Sequence, residues 1–380
     1  MTTPPQAQIF LSLSTTGEIT AIAHGTQYRW AQTALEQSGF RRHQSGRYAL
    51  AADAGEPDRK AAAGLVRLAA RHSTTVHVSS RPYLGDFGDQ VAAHLPGNWS
   101  SELEVYSHPL WQEDLVPLLW DAGELSPAVC NERIPYAVTL KEPSGIELLL
   151  VERPGAQQGY LVGALMTRDY ERNYDTPYAP AGIRLGSSPG AAARDIAHRF
   201  LPAYRRALHQ RRVTTVADAL DSLRAGHRTL VSASASSPPA LPNRSEEQGV
   251  TKGHLWLAFQ DVLVHAPGVL ARCDAAVSAW PGDGAALSRL REALAAGQDA
   301  LAEWNTQQDA LVRISPALRE PPSDLRTRLA LQVMSSIETW LADGDAFVRQ
   351  ALAVVPGRTL ALPPGHDYTP QPAVAPPKRR

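Results

Sequence analysis

Apolar and polar positions alternate twice at the start of the chain. Ile9, Leu11 and Leu13 alternate with polar neighbours, Thr15–Glu18 contain a glycine turn, and Ile19, Ala21 and Ala23 alternate again, which predicts a hairpin. A short helix is expected over Tyr28–Gln37, with Trp30, Ala34 and Leu35 on one side and Gly39 as its stop. Phe40–His43 and Arg47–Leu50 flank Gln44-Ser45-Gly46 as a second hairpin. Residues 1–55 therefore read as a ββαββ unit. About fifty residues bury too little surface to stand alone, so this unit should pack on the segment C-terminal to it.

The pattern over 56–231 predicts an α+β domain ending in an Arg-rich helix pair. Pro57–His72 carries an apolar stripe of Ala61, Leu65, Leu68 and Ala69, and Thr75–Ser79 is short and β-branched. Asp86–His94 reads as a brief helix with Asp86 as N-cap, Leu103–Tyr106 as a strand, and Leu110–Asp121 as an amphipathic helix burying Leu115, Leu118 and Leu119. Ile134–Thr139, Ile146–Val151 and Tyr160–Met166 form an antiparallel meander, with turns at Pro143-Ser144-Gly145 and Pro154-Gly155. Two helices come next, Pro189–Gln210 and Val216–Ala225, broken at Arg211–Thr215.

Residues 232–249 have the composition of a flexible linker, and 250–355 read as a helical hairpin or bundle. Leu287, Leu290, Leu294, Gly297, Leu301, Trp304, Gln308 and Leu311 recur at spacings of three and four, which one helix over about Gly284–Arg313 explains. Leu325, Leu329, Val333, Ile337 and Trp340 supply an antiparallel partner. That seam serves either internal packing or a homodimer. Internal packing is the expectation, because the partner is close in sequence and Gly297 and Gln308 weaken a long coiled coil. Residues 356–380 form a Pro-rich tail expected to be disordered. The even spacing of Trp256, Trp280 and Trp304 has no matching flanks and reads as chance.

Composition bounds the function. The 380 residues are 43% hydrophobic and 20% charged, enough for real cores. Lys+Arg is 37 against Asp+Glu 38, so no global field points to nucleic acid or membrane. The two cysteines, Cys130 and Cys273, form no CxxC pair, no apolar run approaches the ~20 residues a membrane span requires, and the N-terminus lacks a secretory pattern. A cytoplasmic protein with no membrane partner is expected, with no metal site and no cofactor fingerprint.

Charge is uneven along the chain. Arg184–Arg228 holds nine arginines and three aspartates, a net of +6, whereas Asp86–Glu124 holds eight acids and no Lys or Arg. Either the two segments neutralise each other, or Arg194, Arg199, Arg205, Arg206, Arg211 and Arg212 track a phosphate backbone. The stretch from Arg168 to Tyr178 interleaves Arg168 and Arg172 with Tyr170, Tyr174 and Tyr178, which suits stacked bases and phosphates, or equally a protein partner. Gly186, Ser187, Ser188 and Gly190 open a helix and could hold an anion, although Ser188 as N-cap with Pro189 after it explains the same residues.

Catalytic patterns are poor: no G-x-S-x-G elbow, no H-E-x-x-H and no Cys/His pair adjacent in sequence. Asp86 and Asp89 could bind metal, Glu147 and Glu152 could suggest a nuclease strand without its lysine, and Cys130 would need His108 beside it. Gly17–Ala21 with Ala34–Phe40 resembles the start of uncharacterised actinobacterial accessory-genome proteins, over about the first fifty residues. The resemblance implies no activity and carries over no functional residue. The expectation is a non-enzymatic binding or adaptor protein, contacting nucleic acid or a protein partner through the Arg-rich helix and the Tyr/Arg loop. Its alternatives are an enzyme of hydrolase or nuclease type with a site assembled from distant residues, and a self-associating structural protein.

Overall fold

The first hairpin forms in the register its alternation requires, Ile9 opposite Ala23 and Leu11 opposite Ala21, between β1 (Ala7–Leu13) and β2 (Ile19–His24). This computed structural model describes residues 6–50, 56–156, 158–166, 178–235, 243–273, 280–314 and 323–354. Helix α1 (Tyr28–Gln37) and strands β3 (Arg41–Arg42) and β4 (Tyr48–Leu50) complete the ββαββ arrangement. Helix α2 (Glu56–Arg71) then crosses over to β5 (Thr74–Pro82), which pairs parallel with β1 and makes a mixed sheet of order β3-β4-β2-β1-β5. One face, Ala7, Ile9, Ala21 and Ala23, is buried under Ala31, Ala34, Leu35, Leu65 and Ala69 of α1 and α2. Its other face presents Phe10 and Ile22 to the second core, so the unit does pack on the segment C-terminal to it.

The second sheet has the order β11-β10-β9-β8-β6. Its elements are α3 (Leu84–His94), β6 (Ser100–Val105), α4 (Pro109–Glu113), β7 (Leu119–Trp120), α5 (Leu125–Asn131), β8 (Tyr136–Lys141), β9 (Glu147–Glu152), β10 (Tyr160–Leu165) and β11 (Ile183–Leu185). The strands β8, β9 and β10 are the expected meander. The helix expected over Leu110–Asp121 is not formed. It splits into α4, a 3-10 turn at Val116–Leu118 and β7, which pairs with β10. Pro117 lacks the amide an α-helix interior needs, which breaks the run there. Nor does Asp86 cap α3: Tyr83 holds that position, and the Asp86 carboxylate accepts from the Ser14 hydroxyl (2.7 Å) and the Thr15 amide (2.6 Å), pinning the β1–β2 turn.

The two sheets are also clasped by a charge. Arg81 of β5 donates to Glu152 of β9 at 2.7 Å, to the Arg153 carbonyl at 2.9 Å and to the Ala156 carbonyl. Glu152 in turn accepts from the Tyr136 hydroxyl.

Helix α6 (Pro189–Asp195) runs through a π-helical turn at Ile196–Phe200 into α7 (Leu201–Ala235). The break expected at Arg211–Thr215 is absent. Val213 and Val216 are buried in the helical core, and that burial outweighs the modest helix penalty of β-branched residues. The linker expected at 232–249 narrows as well: Ser232–Ala235 end α7 and Asn243–Gly249 begin α8 (Asn243–Leu270), while 236–242 lie outside the described residues, as does the 356–380 tail.

Helices α9 (Gly284–Ile314), α10 (Ser323–Gln332) and α11 (Met334–Ala353) complete an all-helical region. Its core joins Val213–Leu223 of α7 to Trp256, Phe259, Leu263, Leu287, Leu290, Trp340 and Phe347. Of the seam, Leu287, Leu290, Leu294, Gly297 and Trp304 are buried, whereas Leu301, Gln308 and Leu311 are half-buried. Gly297 allows close approach, since a Cβ there would sit 2.5 Å from Leu263 and 3.2 Å from Phe259. The architecture is α+β followed by helices, and α7 belongs to both cores, with Leu201, Tyr204 and Ala207 facing the second sheet.

Candidate anion-binding cleft

Arg205 and Arg212 lie seven residues apart on α7, two helical turns, and so share one face. That face meets the end of α8, where Arg272 comes just after the last helical residues and its amide bonds the Val269 carbonyl at 2.9 Å. A cation at a helix C-terminus is favoured by the backbone dipole. Gly268 makes room for the arrangement: a Cβ there would lie 2.7 Å from Nη1 of Arg212. The three side chains line a cleft of about 690 Å³, with Leu165, Met166, Tyr204 and Leu208 among its other residues.

The β8–β9 turn, Lys141 to Glu147, also lines the cleft. Gly145 takes a positive φ of 92° there and donates to the Glu142 carbonyl at 2.9 Å, which closes the hairpin.

The electrostatics of the helical wall are those of uncompensated cations. Partial burial, then the neighbouring Arg212 and Arg205 charges, pull the Arg272 guanidinium below its ordinary value. Among the described residues no carboxylate lies within 4.0 Å of Arg205, Arg212 or Arg272. The Arg212 Nε is buried without a hydrogen-bond partner. Deeper in, His265 is held down to about 4 by burial and by Arg212 and Arg211.

The remaining expected contacts divide. Arg211 is a correction: it is only 6% exposed, and its guanidinium lies 5.4 Å from the centre of the Trp120 ring, so it cannot serve an outer surface. Arg199 pairs with Asp195 at 3.5 Å, and Arg194 folds back on the Gly190 carbonyl at 3.3 Å. Arg206 is exposed and off the cleft. Arg184 pairs with Glu124, one real contact between the basic and acidic segments. The six arginines therefore do not form one stripe.

Arg168, Tyr170, Arg172 and Tyr174 lie outside the described residues, while Tyr178 is 42% exposed at a positive φ of 76°. Gly186, Ser187 and Ser188 are exposed and Gly190 is half-buried; Ser188 is the N-cap but makes no side-chain cap bond, on a helix of seven residues.

Among the catalytic alternatives, Glu152 is engaged by Arg81 and Tyr136, and Glu147 sits at the far end of the same strand, five residues away and so on the other face. Cys130 is exposed, and Cys273 is buried with its thiol on the Val269 carbonyl. Among the described residues no group of three or more His, Cys, Asp or Glu is placed to hold a metal, and no helix is long and apolar enough to cross a membrane.

Arg272 and Lys141 are not singled out by sequence reasoning. Arg272 stands sixty residues from Arg212 in a segment with no basic run, and only its place at a helix end could have hinted at it. The chain matches no family model, no curated protein and no solved structure.

Proposed function

We propose that this chain is a non-enzymatic binding protein and that the arginine cleft receives a phosphate-bearing strand of nucleic acid. The observation that supports this is the convergence of Arg205, Arg212 and Arg272 with no carboxylate partner among the described residues. Like charges held together oppose folding, and a bound phosphate relieves that repulsion while accepting charge-assisted hydrogen bonds. The apolar side chains of Leu165, Met166 and Leu208 give a base a surface to lie on. A cleft of this volume takes a nucleotide-sized body, within the ~300–1,000 Å³ range of small-ligand sites. A duplex is too broad to enter it, so the reading is for single strands.

The test is fluorescence anisotropy with labelled single-stranded and duplex oligonucleotides at low and moderate salt. The wild type should prefer single strands and weaken as salt rises. The Arg205→Gln/Arg212→Gln/Arg272→Gln variant, folded by circular dichroism, should lose about tenfold or more in affinity. Equal affinity in the folded variant would refute the reading.

A further inference from the structure

We infer that the unit seated in this cleft is a guanine nucleotide, its phosphate on the arginine wall and its Watson–Crick edge on Glu147. The inference rests on the cleft being a phosphate site, and goes beyond it to the identity of the base.

The two walls differ in charge. On the β8–β9 turn, three ionic side chains line the cleft, and two are already engaged. Lys141 donates to Glu102 at 2.6 Å, and the Glu142 carboxylate accepts from the Ser144 amide at 3.1 Å and from the Ser144 hydroxyl. Glu147, the first residue of β9, is half-buried, and among the described residues its carboxylate has no hydrogen bond or ion pair. Cross-strand from Lys141, whose charged form its own charge favours, it is held at the cleft by the β8–β9 register.

An ionised carboxylate offers only acceptors. Of the common bases, guanine alone presents two adjacent donors on one edge, N1–H and the N2 amine, matching the two oxygens of a carboxylate. Adenine and cytosine offer one amine beside a ring nitrogen whose lone pair repels the carboxylate. Uracil and thymine place a single N–H between two carbonyls. A site built to accept two hydrogen bonds rejects bases that leave an acceptor facing an acceptor. The helical wall and the turn thus read the two ends of one nucleotide, with the apolar residues between them.

Competition titration with GMP, AMP, CMP and UMP tests the free nucleotide, and an oligouridine carrying one central guanine or one central adenine tests the strand. Guanine should be favoured by about tenfold in the arm that binds. Glu147→Gln should reduce that preference below about threefold without weakening the adenine ligand, since the arginine wall is untouched. Glu147→Ala serves as a second variant, with folding checked by circular dichroism.

Salt-dependent binding with no base preference overturns the guanine inference and leaves the phosphate site standing. A guanine preference that survives both substitutions overturns it too. Binding of GMP but of neither oligomer supports the guanine inference and refutes the strand reading. Absence of binding to every probe overturns both.

Discussion

Acid should weaken this protein through His265 before most of its carboxylates are protonated. His265 lies on α8, 3% exposed, and burial together with the Arg212 and Arg211 cations lowers its pKa from 6.5 to about 4. The imidazole is therefore neutral in the fold, while an unfolded chain takes up a proton below about pH 6.5. The associated stability is complete above that pH and is lost as the pH falls toward 4. At about 1.4 kcal/mol per pH unit, the loss comes to about 3 kcal/mol across the window. His24 and His209 are also lowered by burial and add in the same direction.

Urea melts at pH 7.0 and 4.5, tracked by tryptophan fluorescence and circular dichroism, measure the effect, with coincident transitions as the check on two-state behaviour. The wild type should lose about 2–3 kcal/mol more between these pH values than a His265→Gln variant. Any cost of the substitution common to both pH values cancels in the comparison. Identical pH dependence in the two proteins would refute the reasoning.

Arg81→Ala should cost about 2–4 kcal/mol at neutral pH, because it leaves the half-buried Glu152 and two carbonyls without their guanidinium and unfastens one sheet from the other; a chemical melt reads this directly. Gly297→Leu should destabilise the helical region by about 1–3 kcal/mol through collision with Leu263 and Phe259, seen as a lower Tm. Gly268→Ala should separate stability from binding. The new methyl meets only the far end of the flexible Arg212 side chain, so Tm should hold or rise, while oligonucleotide affinity falls severalfold as the guanidinium is displaced from the cleft.

Much of the architecture is legible in local pattern. The β1–β2 hairpin, α1, the meander and α9 all arise from periodicity and turn residues. Most departures come from tertiary packing acting on weak local signals, whereas the broken run over Leu110–Asp121 follows from Pro117, a local signal the periodicity overrode. Arg211–Thr215 look like a helix break until Val213 and Val216 are buried by α8 and its neighbours. The parallel pairing of β5 with β1 is set by a crossover spanning sixty residues, and no local pattern records it.

The site is half visible for the same reason. Arg205 and Arg212 share a helical face by spacing, which a sequence displays. Their convergence with Arg272, and the burial of Arg211 over Trp120, depend on how α7 lies against α8 and the second sheet. By sequence Glu147 suggests a nuclease-type acid alongside Glu152, yet Arg81 takes Glu152 away and the β8–β9 turn places Glu147 in the cleft the arginines line.

The most direct test of the phosphate assignment is the slope of log K against log[salt] for a single-stranded oligonucleotide. One phosphate held on the arginine wall contributes about −0.7 to that slope for single strands, and the Arg205→Gln/Arg212→Gln/Arg272→Gln variant should remove that contribution. A slope near zero, or one unchanged in the triple variant, would contradict the assignment of this cleft to phosphate.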